Sequence, residues 1–473
     1  MSVILVSAAA ISWAKAVNRE GRKSYLDAFL KDVGGIQNAR FFPIEHLGTA
    51  SIKAYCTAQG IPTETVNAVA SYHTCWEETF DAIRRVALRL GAPTILGFSG
   101  SNVVLEENLW LANACKQLWP DVSIIFGQDF ATINAERLLR DYPIVDYVGR
   151  GFGELLVAEL FRIRTSKVSA LETISGLAWR DQGGKIRQNP FSPVSLKSLP
   201  WVARDDVHIA NYHGYGVAVS TARGCPYACT YCASGGVHRV LGRAAYQTRE
   251  IDDVLEEVAW LYKDHAVRHL VITDEVFFTT SEESKERARA FACGLRDRGL
   301  EVQFMIDARV DALDPTVLKP LYDAGLRQMF IGIETGDEAQ RARYGKAYPP
   351  GTDVKKNLQG VLDLGIRIIP GVLTFHPETT MSELDQTFSL ISDLGIARVF
   401  SFLNRVNPIP GTHLHEEFRH KGYLRREWPI AEFVFRDASI QALHDEFWSL
   451  SAQPEVRTED FLQVFRRHLN KHT

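Results

Sequence analysis

The sequence predicts an α/β protein in which a doubly wound first domain precedes a partial (β/α)6 barrel and a helical C-terminal segment. Two observations lead to this fold class. Short apolar runs alternate with amphipathic stretches through residues 1–165, and the same alternation resumes at Gly216 and continues to residue 412. Strands that alternate with helices form parallel sheets covered by helices. The chain of 473 residues is long enough for several domains, at roughly 100–200 residues per domain.

In the first domain, residues 1–165, the apolar runs predict strands and the amphipathic stretches predict helices. The predicted strands are 3–6, 63–66, 94–98, 123–126 and 145–148. The predicted helices are 47–59, 75–90, 105–118 and 135–141, and a closing helix begins after Gly151. This order is typical of flavodoxin-like or Rossmann-like domains, whose ligands lie beyond the carboxyl ends of the strands.

Residues 166–215 lack this regular alternation. Asp181-Gln182-Gly183-Gly184 separates two short extended runs, which favours a hairpin. Pro190, Pro193 and Pro200 follow, and prolines are typical of extended connections. We expect a linker that contains a small β-element.

Residues 216–412 contain six strand-like runs separated by helical patterns, which predicts a partial barrel. The runs are 217–220, 269–273, 303–306, 328–333, 366–369 with 371–373, and 398–403. Residues 413–473 are rich in aromatic side chains, and we expect them to form helices that pack on the barrel. Ordinary packing is the favoured role for these aromatic residues, and a lid over the site is the alternative.

The charge balance argues against a nucleic-acid substrate. The chain has 53 Lys and Arg residues against 57 Asp and Glu residues, a formal net charge of −4, whereas proteins that grip phosphate backbones usually show a basic excess. The apolar stretch at residues 3–11 is much shorter than the roughly 20 residues that span a bilayer. We therefore expect a cytoplasmic protein that has no membrane partner and acts on a small molecule.

Three of the seven cysteines, Cys225, Cys229 and Cys232, lie within eight residues. Three thiolates at this spacing can bind one face of a cubane iron–sulfur cluster and leave one iron without a protein ligand. A zinc site completed by His238 is the alternative. We expect the other four cysteines to be buried or half-buried and to act as small apolar side chains. They are Cys56, Cys75, Cys115 and Cys293.

The segment around these cysteines resembles the radical S-adenosylmethionine (SAM) superfamily, with the aromatic Tyr231 before the last cysteine. The resemblance extends over residues 216–412 in five further motifs. They are Thr-Asp-Glu at 273–275, Asp-Ala-Arg-Val-Asp at 307–311, Gly-Ile-Glu-Thr-Gly at 332–336, His-Pro-Glu-Thr-Thr at 376–380 and Pro-Ile-Pro-Gly-Thr at 408–412. Their order, more than any one motif, supports the resemblance.

The resemblance implies a 4Fe–4S cluster on the three cysteines and SAM at its open iron. It places Tyr231 in the SAM site, Glu275 at the SAM amino group, Arg309 at the carboxylate and Glu334 at the ribose. One electron, from a donor such as flavodoxin or ferredoxin, would then cleave SAM to a 5′-deoxyadenosyl radical. A radical of this kind needs a site that excludes competing reactions. The alternative is a helix cap for Glu275 and Glu334 and a surface ion pair for Arg309.

The first domain resembles the cobalamin-binding branch of this superfamily. Similar segments are Pro43 to Gly48, Ser99-Gly100-Ser101, Gly127-Gln128 and 145–154. The resemblance implies cobalamin contacts at Ser99, Ser101 and Gly127. Gln128 departs from the family's second glycine, where a side chain would obstruct the nucleotide tail of the cofactor, and Phe152 replaces a glutamate. Core packing or ordinary hydrogen bonding is the favoured role for Trp13, His46 and Tyr215, and lining of such a site is the alternative.

The function implied is radical hydrogen abstraction from a small biosynthetic substrate, most plausibly followed by cobalamin-assisted C-methylation. The first alternative is radical dehydration, epimerisation or cyclisation, with a first domain that does not use cobalamin. A second is an RNA-modifying enzyme similar to the methylthiotransferases, and a third is a sensor without turnover. The sequence indicates no catalytic side chain beyond the cofactor sites, and it does not identify the substrate.

Overall fold

The structure is a computed structural model that describes residues 1–8, 45–71, 73, 75–166, 170–242, 246–453 and 455–470. Trp13 and the first two residues of the Pro43–Gly48 element lie outside these ranges. Within the described residues, no helix combines the length and the apolar character needed to cross a membrane.

Seven strands of the described chain form the first sheet, in the order β2-β1-β3-β4-β5-β6-β7. They are β1 (Val3–Ser7), β2 (Thr63–Asn67), β3 (Ile95–Ser99), β4 (Ser123–Gly127), β5 (Tyr147–Gly149), β6 (Leu177–Arg180) and β7 (Ile186–Gln188). The first five are parallel, as predicted. Because β1 lies between β2 and β3, the winding direction reverses between β1 and β3, and ligands of such sheets bind at this switch point.

Helices cover both faces of this sheet. They are α1 (Leu47–Ala58), α2 (Trp76–Leu90), α3 (Leu105–Leu118), α4 (Asp129–Ile133), α5 (Ala135–Asp141) and α6 (Gly153–Thr165). Val3 and Leu5 of β1 pack toward α1 and α6, and Ile4 and Val6 pack toward α2 and α3, because successive side chains of a strand point to opposite faces. The doubly wound fold class is thereby confirmed.

The hairpin predicted within the linker is part of the first sheet. β6 pairs antiparallel with β5, and Trp179 lies opposite Tyr147 in that pairing. Residues 177–179 are all buried, so the hairpin shares the hydrophobic core of the first domain. The first sheet therefore continues beyond residue 165. The apolar side chains of the hairpin are buried beside β5 and do not form a separate small element.

The second sheet is parallel and has the order β14-β13-β12-β11-β8. Its strands are β8 (Val217–Val219), β11 (His269–Ile272), β12 (Gln303–Arg309), β13 (Leu326–Glu334) and β14 (Arg367–Val372). A short antiparallel ribbon, β9 (Ala222–Arg223) with β10 (Gln247–Thr248), leads into the cysteine segment.

Helices surround this second sheet. They are α7 (Val207–His213), α8 (Ala233–Leu241), α9 (Ile251–Asp264), α10 (Glu282–Asp297), α11 (Pro315–Asp323), α12 (Glu338–Arg343), α13 (Val354–Asp363) and α14 (Met381–Asp393). Single 3-10 turns also occur, at Asn102–Val104, Leu171–Thr173, Leu196–Ser198 and Val310–Ala312. Tyr215 is buried in the core of this domain. Cys56 and Cys115 are buried and Cys75 is half-buried, as expected, but Cys293 of α10 is exposed, contrary to expectation.

The sixth predicted strand of the barrel is absent from the described structure. Residues Val399–Phe402 form a 3-10 helix instead, and a single parallel bridge joins Phe375 to Arg405. All four residues of the 3-10 helix are buried, and Phe402 stacks on Phe461 of the C-terminal segment. Five strands and this turn therefore make up the partial barrel.

The C-terminal segment contains α15 (His413–His420), the ribbon β15 (Leu424–Arg426) with β16 (Glu432–Phe433), α16 (Ala438–Ser451) and α17 (Thr458–Leu469). Its helices pack on the barrel as predicted, with Phe461 stacked on Phe402 at a centroid distance of 5.1 Å. Phe447 and Phe465 join the same core. These aromatic side chains therefore belong to the hydrophobic core of the barrel.

Candidate functional site

The carboxyl ends of four neighbouring strands bring the predicted site residues to one edge of the second sheet. The cysteine segment follows β8 and β9, Glu275 follows β11, Arg309 ends β12 and Glu334 ends β13. Because adjacent parallel strands end at the same edge, residues distant in sequence become neighbours there. The cysteine segment lies across this edge.

Residues 224–232, the cysteine loop, are held from both sides. The Thr230 backbone N–H donates to the Tyr344 carbonyl at 3.0 Å, and Gly235 of α8 lies directly against the loop. Backbone N–H groups also donate to sulfur: that of Tyr227 to Cys225, and those of Ser234 and Gly235 to Cys232. Such hydrogen bonds stabilise thiolates and tune the potential of an iron–sulfur cluster.

The donor set fits an iron–sulfur cluster. Burial raises the pKa of Cys225 to about 12 and also raises the pKa values of Cys229 and Cys232. Buried thiols of this kind stay protonated until a metal displaces the proton. Among the described residues, no three His, Cys, Asp or Glu side chains, His238 included, are placed to hold a single metal ion. A cubane instead distributes its thiolate ligands over separate iron atoms.

Glu275 and its neighbour Asp274 have different environments. Asp274 is 2% exposed and accepts hydrogen bonds from the backbone N–H groups of Thr221 at 2.6 Å and Ala222 at 2.9 Å, so it fixes the turn before the cysteine loop. Glu275 faces a cavity. Desolvation by the cavity walls, with Asp129 of the first domain nearby, raises the pKa of Glu275 to about 7. Asp274 is structural, and Glu275 faces the space where a ligand would bind.

Arg309 lies beside the cysteine loop and has a partner within the chain. Its guanidinium donates two hydrogen bonds of 3.0 Å to Asp311 and lies 4.0 Å from the ring centroid of Tyr227. Burial opposes its charge, but the Asp311 hydrogen bonds outweigh this and raise the pKa of Arg309. The SAM carboxylate proposed as its partner would meet an arginine already oriented by Asp311.

Glu334 forms a buried ion pair with Lys346, whose Nζ lies 2.5 Å from the carboxylate, and both side chains are under 10% exposed. The Tyr231 hydroxyl also donates to Glu334, and burial raises the pKa of Tyr231. Glu334 has φ +65°, an uncommon conformation for a residue other than glycine. Backbone strain of this kind is often retained at functional sites.

Lys346 is a site residue that the sequence motifs did not indicate. Its ammonium group and the Arg309 guanidinium face Cys229 and oppose the effect of burial on the Cys229 pKa. A β-carbon on Gly332 would lie 2.4 Å from the Lys346 Nζ, so the glycine of the Gly-Ile-Glu-Thr-Gly motif makes room for the ion pair. This requirement for space at Gly332 is the only sequence signal that points toward Lys346.

A cavity of about 320 Å³ lies between the first domain and the cysteine loop. Its walls come from both domains. They include Ser99, Gly127, Gln128, Arg223, Gly224 and Glu275. His46 also lines the cavity, but Ser101 is not among its lining residues. Two of the three residues predicted to contact cobalamin thus share a cavity with a residue predicted to contact SAM.

Much of the cavity wall is apolar, which is the character that the flat, mostly apolar ring of a corrinoid would require. Phe98, Ile125 and Leu156 supply apolar wall. A β-carbon placed on Gly127 would meet no atom closer than 4.0 Å, so the end of β4 leaves open space. The wall also contains Phe152, whose ring lies 5.4 Å from the Arg223 guanidinium.

Glu154 has a role between the domains that the sequence did not indicate. Its buried carboxylate accepts hydrogen bonds from Arg223 at 2.6 Å and from the Ser51 hydroxyl at 2.6 Å. Arg223 lies two residues before Cys225. The first domain therefore fixes the segment that leads into the cysteine loop. Glu154 is the last residue of the segment 145–154, which resembles the cobalamin-binding branch. That resemblance does not identify Arg223 as the partner of Glu154.

Residues 219–391 match the model of the radical SAM superfamily, so this part of the chain is a radical SAM domain. An uncharacterized methyltransferase of Pyrococcus horikoshii is 24% identical over 343 residues, 72% of each chain. A cytidylyl-2-hydroxyethylphosphonate methyltransferase of Streptomyces wedmorensis is 24% identical over 407 residues, 76% of this chain and 73% of the other. An anaerobic magnesium-protoporphyrin IX monomethyl ester cyclase of Synechocystis is 24% identical over 283 residues, 58% of this chain and 54% of the cyclase.

Solved structures share the two-domain architecture. The cobalamin-dependent SAM radical enzyme OxsB, with aqua-cobalamin bound, superposes with a TM-score of 0.73 at 17% identity, covering 100% of this chain and 71% of OxsB. The radical SAM methyltransferase TsrM of Kitasatospora setae superposes with a TM-score of 0.66 at 15% identity, covering 91% of this chain and 80% of TsrM. The predicted superfamily and fold class are confirmed, and the individual ligand contacts stay predictions.

Proposed function

We propose that this radical SAM enzyme removes a hydrogen atom from a small biosynthetic substrate and that cobalamin-assisted C-methylation follows. One observation supports this most strongly. A single cavity has Ser99 and Gly127 of the first domain in one wall and Glu275 and Gly224 of the barrel in the other. A ligand on the first domain and SAM at the cysteine loop would therefore face the same space.

The side chains around the cysteine loop have separate roles in this proposal. Cys225, Cys229 and Cys232 would hold the cluster, which would supply one electron to SAM. Glu275 accepts hydrogen bonds from the SAM amino group, and Arg309 binds the SAM carboxylate. At a pKa of about 7, Glu275 ionises more readily when a cationic amino group is bound beside it, because an opposite charge favours the carboxylate.

The first domain closes the other side of the reaction space. When bound there, methylcobalamin supplies a methyl group that can be transferred to a substrate radical. The apolar wall formed by Phe98, Ile125 and Leu156 limits access of water, which protects a radical from side reactions. Support for methylation comes from the relatives named as methyltransferases, whereas the cyclase relatives support the alternative in which no methyl group is transferred.

Anaerobic reconstitution tests both parts of the proposal. The protein is supplied with iron, sulfide, SAM and dithionite, with and without hydroxocobalamin, in extracts of a mutant blocked in the relevant pathway. Mass spectrometry should detect 5′-deoxyadenosine, S-adenosylhomocysteine and a product heavier by one methyl group, the last two only with hydroxocobalamin. The Cys232→Ala variant is the control and should form none of them.

Two results would change the conclusion. Absence of 5′-deoxyadenosine under all conditions would refute the radical SAM assignment of the site. Full activity in protein free of corrinoid, with a product that has lost water or hydrogen or has been rearranged, would refute methylation and support dehydration, epimerisation or cyclisation. Flavodoxin or ferredoxin should replace dithionite as the electron donor in the same assay.

A further inference from the structure

The inner face of the second sheet, opposite the face that packs on the helices, carries a carboxylate beside an aromatic ring. Ile306 and Ala308 of β12 belong to the hydrophobic core, so Asp307 between them points to the inner face. Asp307 lies opposite Phe330 of β13 in the strand pairing. Paired residues of adjacent strands share a face of the sheet, so these two side chains form one surface inside the partial barrel.

This surface borders open space. Phe330 is 37% exposed, although it stands in the middle of β13, a strand with neighbours on both sides. Barrel interiors are normally filled by branched apolar side chains, so this much exposed ring surface requires an unfilled volume in front of the ring. On β14, a β-carbon on Gly371 would lie 2.6 Å from the Phe330 ring. Glycine at 371 therefore leaves room for the ring.

The space in front of Asp307 and Phe330, which we call the barrel chamber, adjoins the predicted SAM site. Arg309 follows Asp307 by two residues on the same face of β12, a spacing of about 6.6 Å along the strand. The Phe277 backbone N–H donates to the Asp307 carbonyl at 3.0 Å, which holds the segment after Glu275 against β12. A ligand in the barrel chamber would thus lie one row of side chains from a residue predicted to bind SAM.

The Asp307 carboxylate has no counter-charge. Among the described residues, nothing donates a hydrogen bond to it and no cation pairs with it; its charged neighbours are Asp274 and Glu275, which together with burial raise the pKa of Asp307 to about 7. The nearby Arg309 guanidinium is already paired with Asp311. In the proposed function, Glu275 meets the SAM amino group, which leaves Asp307 as the unpaired carboxylate. A carboxylate withdrawn from water is costly unless a cation lies beside it.

We propose that the substrate carries a cationic nitrogen group, such as a protonated amine, and that this group binds in the barrel chamber between Asp307 and Phe330. The carboxylate supplies the opposite charge, and the open face of the ring supplies a cation–π attraction. A neutral or anionic substrate gains neither interaction. This inference rests on the proposed radical SAM function and names the chemical class of its substrate.

Fractionation of the extract that contains the substrate tests this class directly. The extract of the pathway mutant is passed in dilute acid over a sulfonic acid resin, where carboxylates are neutral and cations are retained. Retained and unretained fractions are then supplied separately to the reconstituted wild-type enzyme with SAM, dithionite and hydroxocobalamin. The retained fraction should yield the product. Product from the unretained fraction alone would overturn the inference.

Asp307→Asn tests the residue itself, because the amide keeps the size of the side chain and removes its charge. The variant should need about tenfold more of the retained fraction for half-maximal rate, equal to about 1.4 kcal/mol, while its SAM affinity in equilibrium dialysis stays that of the wild type. Phe330→Leu should raise the requirement by about two- to fivefold, the range expected for a cation–π contact. The control Asp121→Asn, at an exposed position, should match the wild type.

The outcomes separate this inference from the proposed function. An unchanged substrate requirement in Asp307→Asn would overturn the inference, and so would an equal loss of SAM affinity, which would assign Asp307 to SAM. A product of the retained fraction that gains no methyl group would refute methylation alone, because the Asp307 test measures substrate binding and not the group transferred. Absence of 5′-deoxyadenosine from the wild type with every fraction would overturn both.

Discussion

A β-carbon on Gly235 would lie 2.4 Å from the carbonyl oxygen of Cys229. Helix α8 therefore packs against the cysteine loop at a distance that only glycine permits. One residue later, a β-carbon on Gly236 would lie 3.2 Å from the side chain of Ile133 in α4. The same helix thus connects the cysteine loop to the first domain.

Gly235→Ala should displace the cysteine loop and reduce iron incorporation. The added methyl group would collide with backbone atoms, which cannot rotate away as a flexible side chain can. Overpacking of this kind costs about 1–3 kcal/mol. Iron content and cluster absorbance after reconstitution measure the effect. The matched control is Gly360→Ala in α13, where a β-carbon meets nothing within 4 Å; it should raise stability by about 0.5–1 kcal/mol. Equal iron loading in both variants would contradict the prediction.

Lys346→Met should destabilise the protein by about 3–5 kcal/mol, because it leaves the buried Glu334 carboxylate without its partner. SAM affinity, measured by equilibrium dialysis, should fall as well, since Lys346 holds the Glu334 side chain at its present position. The control is Lys355→Met, which breaks an ion pair with Asp393 that is 56% exposed on both sides and should cost about 0–1 kcal/mol. Similar losses in the two variants would exclude a special role for the Glu334–Lys346 pair.

Asp307→Asn should stabilise the cluster-free protein more at pH 8 than at pH 5. Burial, with Asp274 and Glu275 nearby, raises the pKa of Asp307 to about 7. A carboxyl whose pKa is higher in the folded protein than in the unfolded chain makes its full contribution to stability only below the unfolded pKa of about 4. This contribution is lost as the pH rises from there through 7.

Thermal unfolding at the two pH values measures this difference. Each pKa unit between the folded and unfolded states corresponds to about 1.4 kcal/mol. The exposed Asp121 provides the control, and Asp121→Asn should follow the wild type at both pH values. An identical shift of the Asp307→Asn midpoint at pH 5 and pH 8 would show that titration is not its cause.

Glu154→Gln should loosen the attachment of the cysteine loop to the first domain. The carboxylate binds Arg223 and Ser51, and the amide keeps its size but loses its charge. We expect a lower unfolding midpoint together with lower iron loading, because Arg223 lies two residues before Cys225. Glu159→Gln on the same helix is the control and should affect neither measurement. A lower midpoint with normal iron loading would restrict the role of Glu154 to general stability.

The sequence by itself determined the order of the strands along the chain, the two-domain fold class and the superfamily. These conclusions depend on local information: the period of apolar residues, the spacing of Cys225, Cys229 and Cys232, and motifs of a few residues. Packing can still change an element whose pattern is ambiguous. The apolar run at 398–403 reads as a strand, but Phe402 is covered by Phe461 of a C-terminal helix, and a 3-10 turn forms instead.

Only the tertiary structure decided which distant side chains meet. Lys346 pairs with Glu334 because both lie beside the end of β13, and Gln128 reaches Ser99 because β3 and β4 are neighbours in the sheet. Neither pair has a spacing that a motif could record. Such contacts depend on the register of strands and the direction of side chains, which the chain fixes only when its core is packed.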